Sequence, residues 1–467
     1  MQSMSRRLAQ WVAGLEYGDL PAEVRDRVRG VTLQGLSSCL LGAGFPETQQ
    51  ALAIMEEEEA GGAGAATVLV DGRKLSRSGA AFVNAEMMFA GGKWDTFRML
   101  THPGCAILPA ALMAAEVTRS SGREFLVGVA AGYEVLERMA RDFIPTVMAR
   151  GFHASPVFGI FGAAIAAAKI FRLDANQIHG AIAQCVNLAA GNLEGARSGG
   201  RSIREGGAVR NALLAVAMAR QGVPGGETVL EGEAGFYHAY AGNNLGRLSH
   251  SFSGDLHADL ERVTTGLGKE WVFLETLYRI YSTAGYNIAH VDVTARLCER
   301  DGILPQDVER VESIVNWMET QYPSPAFPSR FQDLAPGPEM PHYYAAYGIL
   351  QRGFPMTKNV EHGVGDPNPP GLEAMMARVK IIASHRQRLF APTVTIHTRD
   401  GRAHTLAASG REFIWNFDEL ATRLRPIGPG IPIPAAQFEE LIGECAGLDG
   451  QAGIDRLIAL TRKKTEQ

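Results

Sequence analysis

The sequence predicts a mainly α protein, with a large all-helical domain built from both chain ends and a smaller α+β domain inserted between them. Three observations predict it. Apolar residues recur at three- and four-residue spacing through most of 4–270, with alanine and glycine on the packed faces. Near 270 the pattern gives way to short alternating runs and a Pro/Gly loop. Near 413 the helical pattern returns. The expected boundaries are 1–270 with 406–467 for the helical domain and 271–405 for the insertion. A length of 467 residues fits more than one domain.

Each element has its own signal. "MQSMSRRLAQWVAGLEYGDL" reads as a helix that opens the fold. Its arginines are followed by Glu16 and Asp19 rather than by a long apolar core, so it does not read as a secretory leader. In "LPAEVRDRVRGVTLQGLSSCLLG", Pro21 marks a helix start, and Val24, Val28, Val31 and Gly35 form one face. "SRSGAAFVNAEMMFAGG", "AILPAALMAAEVTRSSG" and "GREFLVGVAAGYEVLERMARDF" keep the same period, with Gly122 between the last two. Asp174 is an N-cap for a helix that stops at Gly191, and Gly222 closes the next. In the insertion, "DVERVESIVNWME" is ambiguous between helix and strand. "MPHYYAAYGILQRG" reads as helix, "FPMTKNVEHGVGDPNPPG" as a loop, "ARVKIIAS" as strand, and "PTVTIHTRDGRAHTL" as a hairpin about Asp400-Gly401. "FIWNFDELATRLRP", "PAAQFEELIGECAGL" and "AGIDRLIALTRKK" are the returning helices.

Composition narrows the function. The chain is 46% hydrophobic and 20% charged with a net charge of −5, and no basic run interleaves with aromatics, so nucleic acid is not an expected partner. No apolar run reaches the ~18 residues of a membrane span. Cys39, Cys105, Cys185, Cys298 and Cys445 are scattered, with no C-x-x-C, which fits a reducing cytoplasm better than a disulfide or metal framework. No phosphate-loop, dinucleotide or H-E-x-x-H motif occurs, so neither a cofactor nor a metal is expected. "HADLE" (His257, Asp259, Glu261) reads as a solvated face.

Four constellations carry chemistry. "KWDTFRMLTHPG" puts Asp95, Thr96, Arg98, Thr101 and His102 ahead of Pro103-Gly104. The plain reading is an interhelix loop. "GFHASPVFGIFGAAIAAAKIF" puts His153 just before a helix, where the dipole disfavours imidazolium and leaves a base near pH 7; the plain reading is a cap. "EGARSGGRSIREGGAVRN" carries Arg197, Arg201, Arg204 and Arg210, a carboxylate clamp or a solvated basic loop. "LYRIYSTAGYNIAHVD" lies at the domain junction, where small-molecule sites occur, and otherwise reads as a core helix with buried tyrosines.

The order of these pieces resembles the MmgE/PrpD family, which includes 2-methylcitrate dehydratase, cis-aconitate decarboxylase and iminodisuccinate epimerase. The similarity runs over nearly the whole chain. It is firmest in "AAFVNAEMMFAGGKWDTFRMLTHPGCAILPAALMAAE", "GYEVLERMAR", "GFHASPVFGIFGAAIAAAKIFRLDANQIHGAIAQC" and "AVRNALLAVAMARQG". The resemblance implies that the insertion is a lid, that the site lies between the domains, that the protein is a homodimer, and that a small di- or tricarboxylate is the substrate. It implies no cofactor.

Carried over residue by residue, Asp95 and Thr96 match the family's Asp-Thr, His102 its His-Pro histidine, and His153 the histidine ahead of the next helix. The family's two earlier aspartates fall on Gly92 and Trp94. Its Lys-x-Leu-His-x-Gly falls on "RSIREG", giving Arg201 and Arg204. Its Lys-x-Tyr-Pro falls on "RIYS", giving Arg279 and Tyr281, and a later histidine falls on Ile288. His342 and Tyr343, on the lid helix, complete the candidates. The implied roles are proton transfer for His102, His153 and Tyr281, orientation for Asp95, and carboxylate binding for Thr96, Arg201, Arg204, Arg279, His342 and Tyr343. The expected reaction is that of a hydro-lyase, dehydration or hydration begun by proton removal next to a carboxylate. Epimerisation or decarboxylation of a similar substrate is the alternative, and a non-catalytic carboxylate binder is the second.

Overall fold

The computed structural model describes residues 2–59, 64–195, 204–322, 324–327, 340–354, 356–359, 363, 365 and 367–463. Ser3 caps helix α1 (Met4–Gly14) by accepting the Arg6 N–H at 3.3 Å. Pro21 precedes α2 (Ala22–Gly42), whose face of Val24, Val28, Val31 and Gly35 is buried as its spacing requires. α3 (Pro46–Glu58) and the antiparallel pair β1 (Ala66–Thr67) and β2 (Lys74–Leu75) follow. Ser76 caps α4 (Arg77–Gly91), which stops where Gly92 turns left-handed at φ 73°. After β3 (Asp95–Thr96) come α5 (Pro103–Thr118) and α6 (Gly122–Ala140), the latter opened by a Ser121–Glu124 capping box. Next are α7 (Ile144–Ala149), α8 (Ala154–Ile170) and α9 (Ala175–Leu188), which starts at an Asp174–Gln177 box as its sequence predicts. α10 (Arg204–Arg220) and α11 (Phe236–Ala241) close this run.

Small residues let these helices approach. A Cβ on Gly132 of α6 would meet the Gly162 carbonyl oxygen of α8 at 2.6 Å, and one on Gly35 of α2 would meet Leu108 Cδ1 of α5 at 2.5 Å. The helical expectation overruns in one place. From 242 to 276 the described chain makes only short turns, held instead by α6. There the Arg138 guanidinium donates to the carbonyls of Thr265 and Glu270 at 2.6 Å each.

β4 (Leu277–Tyr278) pairs antiparallel with β3, Asp95 opposite Tyr278 and Thr96 opposite Leu277. α12 (Gly285–Asp301) leads to β5 (Val308–Asn316), the ambiguous run, which is a strand. α13 (Pro341–Gln351), α14 (Leu372–Met376), β6 (Val379–Ser384), β7 (Thr393–Thr398) and β8 (Ala403–Ala407) follow. The sheet order is β6-β5-β7-β8, with β5 and β6 parallel and the other pairs antiparallel. The β7–β8 hairpin turns at Gly401, φ 85°. α15 (Phe417–Leu424), α16 (Ala435–Ala446) and α17 (Asp455–Ala459) end the described chain, with α15 and α16 packed on α2.

The fold is mainly α, with two apolar cores. The larger joins residues from Met4 to Ala289 with Phe413 to Ile458, and also takes in Met318 and Phe390. The smaller lies within Val291 to Ala408. α12 enters both, Tyr286, Ile288 and Ala289 in the first and Val291, Val293 and Leu297 in the second. No helix among the described residues is long and apolar enough to cross a membrane.

Candidate active site

The site begins where α4 ends. The left-handed Gly92 releases the chain into a buried segment that sequence had marked as chemical. The Lys93 N–H donates to Ser38 Oγ at 3.0 Å, and Trp94 Nε1 donates to the Phe89 carbonyl at 2.7 Å. Gln34 Nε2 donates to the carbonyls of Trp94 (2.9 Å) and Arg279 (3.0 Å), tying this segment to the junction strand that β3 also pairs with. Arg98 and Leu100 sit at φ 54° and 52°, strained for non-glycine residues and worth ~1–3 kcal/mol each. The loop is held in that shape by the Phe97 N–H on the Thr101 carbonyl at 3.0 Å. The Thr96 hydroxyl also bonds within the loop, donating to the carbonyls of Arg98 and Thr101. Arg98 turns to a separate cleft and pairs with Glu275 at 2.6 Å.

Asp95 is 3% exposed. Its Oδ1 accepts the Gly104 N–H at 3.0 Å, on the first turn of α5, and its Oδ2 accepts the Tyr133 hydroxyl. Burial pushes its carboxyl up to about 6, against the pull of those two donors and of Arg279. Its main chain does a second job. His102 Nδ1 lies 3.3 Å from the Asp95 carbonyl oxygen. A carbonyl only accepts, so Nδ1 carries the hydrogen and the neutral ring keeps its lone pair on Nε2. The His102 ring also packs on Trp94, centroids 4.2 Å apart.

His153 is the N-cap of α8, where its Nδ1 accepts the Ser155 N–H at 3.3 Å. That bond occupies the Nδ1 lone pair, so the neutral ring carries its hydrogen on Nε2. The positive end of the α8 dipole disfavours imidazolium there. Ser155 joins the two histidines. Its Oγ accepts the His102 N–H at 3.3 Å and donates to Glu205 Oε2, buried on the first turn of α10, at 3.1 Å. The two imidazoles therefore stand in opposite tautomers, one offering a lone pair at Nε2 and the other a hydrogen.

Arg279, from the junction, is 3% exposed and lies 3.6 Å over the Trp94 ring. Its charge acts on both Asp95 and Lys93. Lys93 is 1% exposed. Its Nζ donates to Ser282 Oγ at 3.0 Å, and burial, helped by Arg279, pushes its amine down to about 7. Lys93 and Ser282 line a cavity of about 400 Å³ with Thr357 and Asn359.

Of the other expected residues, Tyr281, Tyr343 and His342 make their described contacts elsewhere. The Tyr281 ring packs on Phe354 at 5.3 Å, and burial pushes its hydroxyl up to about 12. Tyr343 is buried in the smaller core and donates to Asn368 Oδ1 at 2.6 Å. His342 is half-buried on α13, which lowers its pKa. Arg197 and Arg201 lie outside the described residues, as does the Arg204 side chain on the first turn of α10. Among the described residues no group of three or more metal-ligating side chains occurs.

Sequence reasoning missed Lys93, Tyr133, Ser155, Glu205, Ser282 and Asn359. Lys93 had a signal, an ammonium in a run that is otherwise apolar up to Asp95. Glu205 had one too, a carboxylate beside the arginines. Tyr133 and Ser282 had none, because only the packing brings them in.

Comparison with known proteins finds relatives of one kind. A cis-aconitate decarboxylase-like protein, oryM, of Aspergillus oryzae is 27% identical over 294 residues, 61% of this chain and 59% of that protein. Cis-aconitate decarboxylase of Aspergillus terreus is 25% identical over 307 residues, 64% of this chain and 60% of its own. The human enzyme of that name is 28% identical over 254 residues, 52% and 51% of the two chains. The chain spans about three-fifths or less of the length of these curated relatives. The MmgE/PrpD N-terminal domain matches residues 6–247, more than half of the chain, which therefore belongs to the MmgE/PrpD family.

Proposed function

We propose that the protein is a lyase that acts on a small tricarboxylate or dicarboxylate by moving a proton at carbon next to a carboxylate. The observation that carries it is the pair of buried imidazoles, His102 and His153, held by Ser155 and the Asp95 carbonyl in opposite tautomers. One neutral acceptor and one neutral donor serve carbon-acid chemistry near pH 7. Arg279 supplies positive charge beside them, suited to an enolate-like intermediate. The names of the relatives favour decarboxylation of an unsaturated tricarboxylate. In that reaction the C–C bond to one carboxylate breaks, carbon dioxide leaves, and its electron pair spreads into the neighbouring unsaturated carboxylate. The His153 Nε2–H then protonates the carbanion, and water restores the proton. Dehydration is the second reading. The Nε2 lone pair of His102 would take the proton from carbon while the His153 Nε2–H protonates the departing hydroxyl. The second core, joined to the first through α12, would act as the lid, and the protein would work as a homodimer.

The test is proton NMR of the purified protein in D2O with cis-aconitate, citrate and 2-methylcitrate. A product short of one carboxylate with one new C–D bond is the expected outcome. Water loss without carbon dioxide would select dehydration. Deuterium at carbon with no net product would move the reading to an epimerase. No change in any substrate would sink it.

A further inference from the structure

We propose that the cavity lined by Lys93, Ser282, Thr357 and Asn359 is a subsite for a substrate carboxylate, with the Lys93 ammonium as its counter-charge. It rests on the polycarboxylate reading above. A buried amine ordinarily has a carboxylate partner, because an ammonium taken out of water without one is costly. Lys93 is 1% exposed, and among the described residues no carboxylate pairs with it; its Nζ bonds the Ser282 hydroxyl at 3.0 Å. Its charged neighbour is a second cation, Arg279. A buried ammonium lining a cavity of about 400 Å³ calls for an anion, and that volume lies within the roughly 300–1,000 Å³ of small-molecule sites.

The lining suits a carboxylate. Lys93 and the Ser282 hydroxyl present donors, and Asn359, bridged to Ser282 through the main chain, lines the cavity beside them. Gly92 matters here. A Cβ at that position would lie 2.8 Å from Ser282 Oγ and 3.4 Å from Asn359 Nδ2, so a side chain there would compete for the same space. Leu41, Phe45 and Gly430 form the apolar remainder, which strengthens the attraction by excluding water. Lys93 stands two residues before Asp95, whose carbonyl holds His102.

Among the described residues, few groups face Lys93. Ser38 comes from α2, Arg279 and Ser282 from the junction, and Asn359 from the segment after α13. Lys358, on that same segment, is turned to Asn368 Oδ1 at 2.9 Å and to the Tyr347 ring. Arg279 keeps its charge throughout the working range. The subsite's charge is thus controlled by Lys93, whose amine loses its proton near neutrality unless a carboxylate holds it.

The experiment is calorimetric titration with tricarballylate, a saturated tricarboxylate that the proposed chemistry leaves intact, at pH 6 and pH 8.5. The proteins are the full chain, Lys93→Met and Lys93→Arg. Replacing a buried lysine by methionine keeps its length without its charge, so the variant folds, which circular dichroism checks. The expected result is at least tenfold weaker binding by K93M at pH 6. K93R binds at both pH values, and the wild type weakens by tenfold or more on going to pH 8.5. Any pH dependence left in K93R belongs to other groups, Asp95 among them, whose carboxyl sits at about 6. Unchanged affinity in K93M, or a wild type that binds no tricarboxylate, overturns the subsite. Lysine-dependent binding without turnover of any carboxylate would keep the subsite and overturn the lyase reading. Turnover with K93M binding as tightly as the wild type would do the reverse.

Discussion

Two of the places where this molecule buries charge settle it in opposite ways. On α6, Glu134 and Arg138 form an ion pair with side chains 0% and 1% exposed. The guanidinium donates its remaining hydrogens to carbonyls of the 262–270 segment, and Glu134 Oε2 accepts the Phe273 N–H at 3.0 Å. Every charge there has a partner, so the cluster acts as a clamp that fixes an irregular stretch to a helix. At the end of α4, Lys93 and Arg279 are equally buried, but the neighbour that shifts Lys93 after burial itself is another cation. The first arrangement is complete in the folded chain alone. In the second, no carboxylate among the described residues pairs with Lys93, and under the proposal above an anionic ligand completes it. A buried charge thus reads as architecture or as function according to whether the protein itself supplies its counter-charge.

The clamp breaks hardest. Arg138→Met leaves Glu134 buried without its cation and several carbonyls without donors, and should cost ~3–5 kcal/mol in urea unfolding. The double variant Glu134→Leu with Arg138→Met should recover part of that loss, since no lone charge remains. Equal losses in the single and double variants would show that the carbonyl bonds, rather than the ion pair, hold the segment.

Lys93→Met should act with the opposite sign on stability. The native amine titrates near 7 and the unfolded one near 10.5. Between those values the unfolded chain binds more protons, so wild-type stability rises with pH through that window. The variant should be more stable than the wild type at pH 6 and should lose the rise between pH 7 and 10. Thermal unfolding across that range reads both, and a variant less stable at pH 6 would contradict the picture of an uncompensated ammonium.

The smallest effect concerns Asp95, which lies between the two extremes with two donors and no direct ion pair. Its carboxyl sits at about 6 in the fold against 3.8 unfolded. The native state therefore takes up more protons between pH 4 and 6, and stability falls as pH rises through that window. Tyr133→Phe removes the donor that most lowers this pKa, so the Asp95 midpoint, followed by carbon NMR of its carboxyl, should move upward. A midpoint that stays in place would mean the hydroxyl contributes nothing.

Much of this was legible in the sequence, for reasons of local physics. Helix spacing, the Asp174 cap and the Asp400-Gly401 turn are all short-range signals. Asp95, His102 and His153 stood out because titratable groups are uncommon beside Pro-Gly turns and Ala-rich helices. Long-range contacts carried no such signal. Nothing in "GYEVLERMAR" announces that Tyr133 reaches Asp95, and nothing in "RIYS" that Ser282 reaches Lys93. The 242–276 stretch kept enough apolar residues to read as helix. Its glycines at positive φ, including Gly242, Gly246 and Gly254, and the Arg138 clamp made it irregular.

The most direct test of the account compares the wild type with His102→Gln and His153→Gln by proton NMR in D2O on the substrate that turns over. Each variant should keep its fold; H153Q should lose about two to four orders of magnitude in turnover under either reaction, and H102Q should do so under dehydration. Under decarboxylation, H153Q should lose the capture of deuterium at carbon more severely than H102Q. Turnover within threefold of the wild type in both variants would contradict proton transfer by this pair and remove the centre of the account.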